Sequence, residues 1–185
     1  MTTTRARPHD PRRLDVERFA RDGTSLEGSW PLDGMPRLVE ACHQGEAPQP
    51  GDVAVWSARG ELRRVVGGET QTWLHMDVHA RLTLTCQRCL AAVETALKVD
   101  RWFRFVASEE EAAELDAEIE DDVLVRSHAL DLHQLAEDEL LLALPIVPRH
   151  DLCPMPLRAA GADEPDQALP SPFAALAALK KKVRH

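Results

Sequence analysis

The sequence predicts an α+β fold: a mainly antiparallel, curled or barrel-like sheet with packed helices and a C-terminal amphipathic helix. Three stretches carry that expectation. In "QTWLHMDVHARLTLTC", Leu74, Met76, Val78, Ala80, Leu82 and Leu84 alternate with mostly polar neighbours, the period of a strand with one buried face. In "DLHQLAEDELLLALP", Leu132, Leu135, Ala136 and Leu140 make a helical stripe that Asp131 can cap and Pro145 can stop. In "SPFAALAALKKKVRH", Ser171 suits the N-cap and Pro172 the first turn. Phe173, Leu176, Leu179 and Val183 share one face, and cations sit where the helix dipole favours them.

The remaining elements follow in chain order. Residues 1–13 read as a flexible lead-in. "TSLEGSWPL" suggests a short strand ending at Pro31. "MPRLVEACHQ" places Leu38, Val39 and Cys42 on one helical stripe, so Cys42 is expected as a small core residue. "DVAVWSA" and "GELRRVVGG" read as two short strands. After the long strand, "AAVETALKVDRWFRFVA" predicts a returning strand with a bulge near Asp100, because Trp102, Arg104 and Val106 are placed on the opposite parity from Val93, Leu97 and Val99. A helix competes for that segment through its alanines. Ser108 and Glu111 have capping-box spacing, and "DVLVRS" suggests one more strand. The organisation expected is a single α+β domain over residues 14–150, a Pro-rich linker over 151–170 and a terminal helix with a basic end over 171–185.

Composition narrows the function. No apolar run is long enough for a membrane helix, and the charged N-terminus has no apolar stretch behind it. The expected location is the cytoplasm, with thiols reduced and no membrane partner. The net charge is −9, and the nine acids between Glu109 and Asp122, with no base among them, account for all of it. Bases gather at the ends: Arg5, Arg7, Arg12 and Arg13, then Lys180, Lys181, Lys182 and Arg184. His75 and His79 fall four apart on a strand, about 13 Å, too far to share a metal. His128 and His133 read as surface or cap residues, and Glu137, Asp138 and Glu139 as a solvated helix face. No signature of a serine hydrolase, P-loop, zinc protease or dinucleotide site is present.

The chemistry-bearing motif is "LTCQRCL". Cys86 and Cys89 at this spacing fit three roles: two ligands of a structural zinc, a redox pair, or packing at a turn. Downstream, His150 and Cys153 in "RHDLC" could complete a Cys3His set if the fold brings the halves together.

The stretches "LTCQRCL", "DLHQLAEDELLLALPIVPRHD" and "SPFAALAALKKK", in this order and spacing, resemble the YceD family, the large ribosomal RNA subunit accumulation proteins. The resemblance covers residues 25–182. It implies a non-enzymatic role in synthesis, processing or stability of 23S ribosomal RNA. Some members carry a second CxxC in a GLCPVCG-like stretch where this chain has "HDLCPMPL". Cys153 matches the first of those cysteines, while Met155 and Pro156 stand near the second. Either His150 substitutes for the missing ligand, or the metal is lost; the departure points towards a metal-free member, so the cofactor expected is none or one structural zinc. Partners expected are ribosomal RNA, a ribosome-assembly protein or a nuclease, with no small-molecule substrate. Arg81, Arg88, Arg101 and Arg104 are the candidate RNA contacts. Phe173, Leu176, Leu179, Lys180, Lys181 and Lys182 are the candidate partner contacts, and the acidic stretch is a further surface. Two alternatives stay open: a thiol- or zinc-dependent enzyme centred on Cys86 and Cys89, and a general adaptor working through the terminal helix.

Overall fold

A computed structural model describes residues 8–43, 48–116, 119 and 121–154. The chain runs α1 (Val16–Asp22), β1 (Ser25–Pro31), a short 3-10 turn (Leu32–Gly34), α2 (Pro36–Glu40), β2 (Val53–Arg64), β3 (Thr70–Thr85), β4 (Ala92–Val106), α3 (Glu109–Asp116), β5 (Asp122–Val125) and α4 (Leu132–Leu142). The five strands form one sheet in sequence order. The first four pair antiparallel, and β5 pairs parallel to β4. The sheet is mostly antiparallel as expected, and it is open rather than closed into a barrel. Among the described residues no helix is long and apolar enough to cross a membrane.

The period-two pattern of β3 determines the core. Leu74, Met76, Val78, Ala80, Leu82 and Leu84 are all buried; Leu74, Val78, Ala80 and Leu84 pair with the buried Phe103, Val99, Leu97 and Val93 of β4, and Phe105 continues that face. Helices α1, α2 and α4 supply Val16, Phe19, Leu38, Leu132, Ala136 and Leu140 to this cluster. One sheet face is therefore packed and the other is left to solvent, the usual economy of an antiparallel sheet.

Two strand expectations need correction. "DVAVWSA" and "GELRRVVGG" are one twelve-residue strand, β2, and Gly60 does not interrupt it. The glycine is required for another reason. A Cβ there would lie 2.7 Å from Ala20 N and 2.7 Å from Phe19 C, so only glycine lets α1 settle on the strand. Gly60→Ala is expected to cost about 1–3 kcal/mol by forcing α1 outward. Chemical denaturation would measure it, and a loss below roughly 0.5 kcal/mol would show that α1 gives way freely. Second, β4 carries no bulge near Asp100. Its register with β3 is one-to-one from Phe105 opposite Thr72 to Ala92 opposite Thr85. Phe103 and Phe105 continue the inward parity of Val99, and Trp102 and Arg104 point outward. Trp102 misleads because a large aromatic ring usually marks the buried face. The strand expected in "DVLVRS" forms as β5, parallel to β4 at the sheet edge.

Helix α1 was not anticipated. Its signals are present: Asp15 accepts from Arg18 N, Gly23 ends the helix at φ 59°, and Val16, Phe19 and Ala20 share one buried face. The segment before it is tied down, because the Pro11 carbonyl accepts from Leu132 N and Leu14 bridges Leu130. Cys42 lies two residues past the end of α2, half-buried against the core. The caps at Asp131 and Ser108 form as expected: Asp131 accepts from His133 N and Gln134 N, and Ser108 Oγ from Glu111 N. The α4 surface differs from a solvated one. Glu137 and Glu139 are buried, and so is His133, whose ring meets Trp30 edge-on and whose pKa burial pushes down.

Candidate metal centre

The β3–β4 hairpin ends in a tight turn over residues 86–91. Cys86 N donates to Ala91 O, and Leu90 N donates to Cys86 O. Leu90 takes a left-handed conformation, φ 61°, which swings the chain back into β4. Both cysteines thus face one point, with Cys86 fully buried and Cys89 half-buried. The strap after α4 crosses this turn. Gln87 N donates to Pro148 O at 2.8 Å, and Arg88 reaches His150 O at 3.4 Å.

That crossing closes the group. Cys89 Sγ lies 3.4 Å from His150 Nδ1, and Cys86 Sγ lies 4.0 Å from Cys153 Sγ. The four donor atoms all fall within 4.8 Å of one another. In a tetrahedral zinc site with Zn–S near 2.3 Å, ligand atoms stand about 3.8 Å apart, so these residues fit a metal after a small contraction. The Cys3His set that the sequence offered as one option is assembled, with His150 beside Cys89 as the fourth donor. Electrostatics favour one thiolate in the group, at Cys86. Burial raises the Cys86 thiol, but N–H groups of Cys89, His150 and Arg88, with the His150 side chain, hold its pKa down to about 5. Burial and the neighbouring Cys89 and Cys86 sulfurs push Cys153 up to about 11.

The candidate RNA contacts do not converge. Arg81 points outward from β3 and pairs with Glu94 at 3.0 Å. Arg101 pairs with Asp122 at 3.0 Å and lies 3.8 Å from the buried Glu139 carboxylate, whose pKa burial raises. Arg88 belongs to the hairpin tip. Arg104 stands opposite Trp73, eight residues along β3 from Arg81, or about 26 Å. Phe173, Leu176, Leu179, Lys180, Lys181 and Lys182 lie outside the described residues. His75 and His79 engage separate carboxylates, Asp100 and Asp77, each at 2.8 Å.

One cluster escaped the sequence reading: Arg63, Trp73, His75 and Trp102 stack on the outward face. Its signal was two tryptophans among the polar positions of adjacent strands, obscured by the wrong parity assigned to β4.

These features define a class: an open-sheet α+β fold whose longest hairpin ends in a Cys3His group able to hold a metal ion. Within it, the chain belongs to the large ribosomal RNA subunit accumulation protein YceD family, whose family model matches residues 74–180. That span takes in most of β3, all of β4 and α4, and the whole Cys3His group. No solved structure matches the chain.

Proposed function

We propose that this protein is a non-enzymatic cytoplasmic factor for synthesis, processing or stability of 23S ribosomal RNA. It works through contacts with RNA or with a ribosome-assembly protein, and holds one zinc as a structural clasp. Family membership supports the pathway. The Cys3His group supports the clasp: four protein donors would leave no coordination position open for substrate, the arrangement of structural rather than catalytic zinc. The clasp would pin the strap at residues 148–153 to the hairpin tip. The thiol-enzyme alternative is disfavoured by access. Cys86 has the most acidic thiol but is fully buried, whereas a nucleophilic cysteine must reach its substrate.

The test is the ratio of 23S to 16S RNA in cells that lack the gene. A lowered ratio, restored by the wild-type chain, is the expected result. An unchanged ratio overturns the reading. A Cys86→Ser variant that folds but gives no rescue, in cells where metal-free wild-type protein does rescue, would return the enzyme alternative.

A further inference from the structure

Helices α1, α2 and α4 pack on one face of the sheet. On the other, directly paired residues form rows across β2, β3 and β4. Arg59, His75 and Trp102 make one row, and Glu61, Trp73 and Arg104 make the next. Arg63 follows, two residues further along β2 and opposite Gln71. The side chains of these rows stack. The Arg63 guanidinium sits 4.2 Å from the Trp73 ring centre and 4.1 Å from that of Trp102. The His75 ring lies 4.6 Å from Trp102, tilted by 33°. Trp73 is almost covered, so it serves as the floor, while Trp102, His75 and Arg63 remain partly open to solvent.

The charges on this face divide in a telling way. Arg63 pairs with Glu61, and His75 with Asp100. Arg59 and Arg104, on either side of the stack, have no carboxylate partner among the described residues. Two unneutralised guanidinium groups therefore flank a set of planar rings. Phosphate needs such cations, and unstacked bases need such rings.

We propose that this face, centred on Trp102, His75 and Arg63 and flanked by Arg59 and Arg104, binds single-stranded RNA. The proposal deepens the 23S reading above and rests on it for the RNA being ribosomal. Three rows two residues apart on three strands span about 13 Å by 10 Å, room for two or three nucleotides. Duplex RNA is excluded because its bases are stacked on each other and cannot lie on the rings. The face is local, so the −9 net charge does not forbid it; binding must weaken steeply with salt.

The experiment is anisotropy of a labelled, short, mixed-sequence single-stranded RNA titrated with the full chain at low salt, with a duplex of equal length beside it. Trp102→Ala is expected to weaken single-strand binding roughly tenfold. The Arg59→Ala/Arg104→Ala double variant removes one exposed and one half-buried side chain, neither paired with a carboxylate. It should lower the slope of log affinity against log salt by roughly 1.4, about 0.7 per phosphate contact. Circular dichroism melts establish that each variant is folded. Variants that bind like the wild type overturn the platform, and so does a duplex bound as tightly as the single strand. No binding by the wild type, in a protein whose loss still lowers 23S RNA, also overturns it while the 23S reading stands through a protein partner. An unchanged 23S level overturns that reading itself, whatever the anisotropy shows.

Discussion

Purified under reducing conditions, the protein is expected to carry about one zinc per chain, and a chelator is expected to lower its melting temperature by roughly 10 °C. The magnitude follows from linkage. Metal at a thousandfold its dissociation constant stabilises the folded state by about 4 kcal/mol, provided that the unfolded chain does not compete. The donors come from two segments, the hairpin turn at Cys86 and Cys89 and the strap at His150 and Cys153. Without metal, the strap keeps the Gln87–Pro148 hydrogen bond but loses the clasp, and the Cys86 thiolate faces the neighbouring sulfurs without a metal counter-charge. Cys86→Ser should give a metal-free protein with the same lowered melting point. His150→Ala should bind more weakly, because three thiolates with a water can still hold zinc. A metal-free wild type whose melting point ignores chelator would show that the four side chains only pack together.

Glu137→Ala is expected to destabilise the protein by about 3 kcal/mol, more than any surface charge. This α4 carboxylate caps another helix. Its Oε1 accepts from Arg37 N at 2.8 Å and from Leu38 N at 3.4 Å, donors in the first turn of α2 that have no partner within the helix. Its Oε2 accepts from the Arg37 guanidinium at 3.0 Å. Removing it leaves buried N–H groups unsatisfied and separates α2 from α4. Glu137→Gln should cost less, since an amide oxygen still accepts from the backbone. Asp138→Ala gives the internal control: Asp138 also pairs with Arg37 but is exposed, and an exposed ion pair contributes about 1 kcal/mol at most. Equilibrium denaturation of the three variants measures the series. Equal losses for Glu137→Ala and Asp138→Ala would refute the capping role.

Where sequence reading succeeded and failed has a common cause. The strand β3, the helix α4 and the capping residues Asp131 and Ser108 were legible because each leaves its pattern in consecutive residues. Helix α1 was as legible as these, with Asp15, Gly23 and a Val16, Phe19 and Ala20 face, yet no element was assigned to residues 14–23. The parity of β4 was misread at Trp102, because the ring is outward yet half-covered by Arg63 and His75 from neighbouring strands. Glu137 was misread as solvated, because its partners Arg37 and Leu38 are a hundred residues away.

By itself, the sequence determined the α+β class, the β3–β4 hairpin, the position of CQRC at its tip and the membership of a ribosomal RNA accumulation family. Those properties rest on local periodicity and on ordered motifs, which survive in one dimension. Only the tertiary structure decided that His150 stands beside Cys89 in place of a missing cysteine, that the sheet stays open, and that Arg59, His75 and Trp102 share a row. Each of these depends on strand register or on a strap crossing a turn. Register and crossing are settled by the packing of the whole core, so distant residues meet without leaving a mark in their own neighbourhoods.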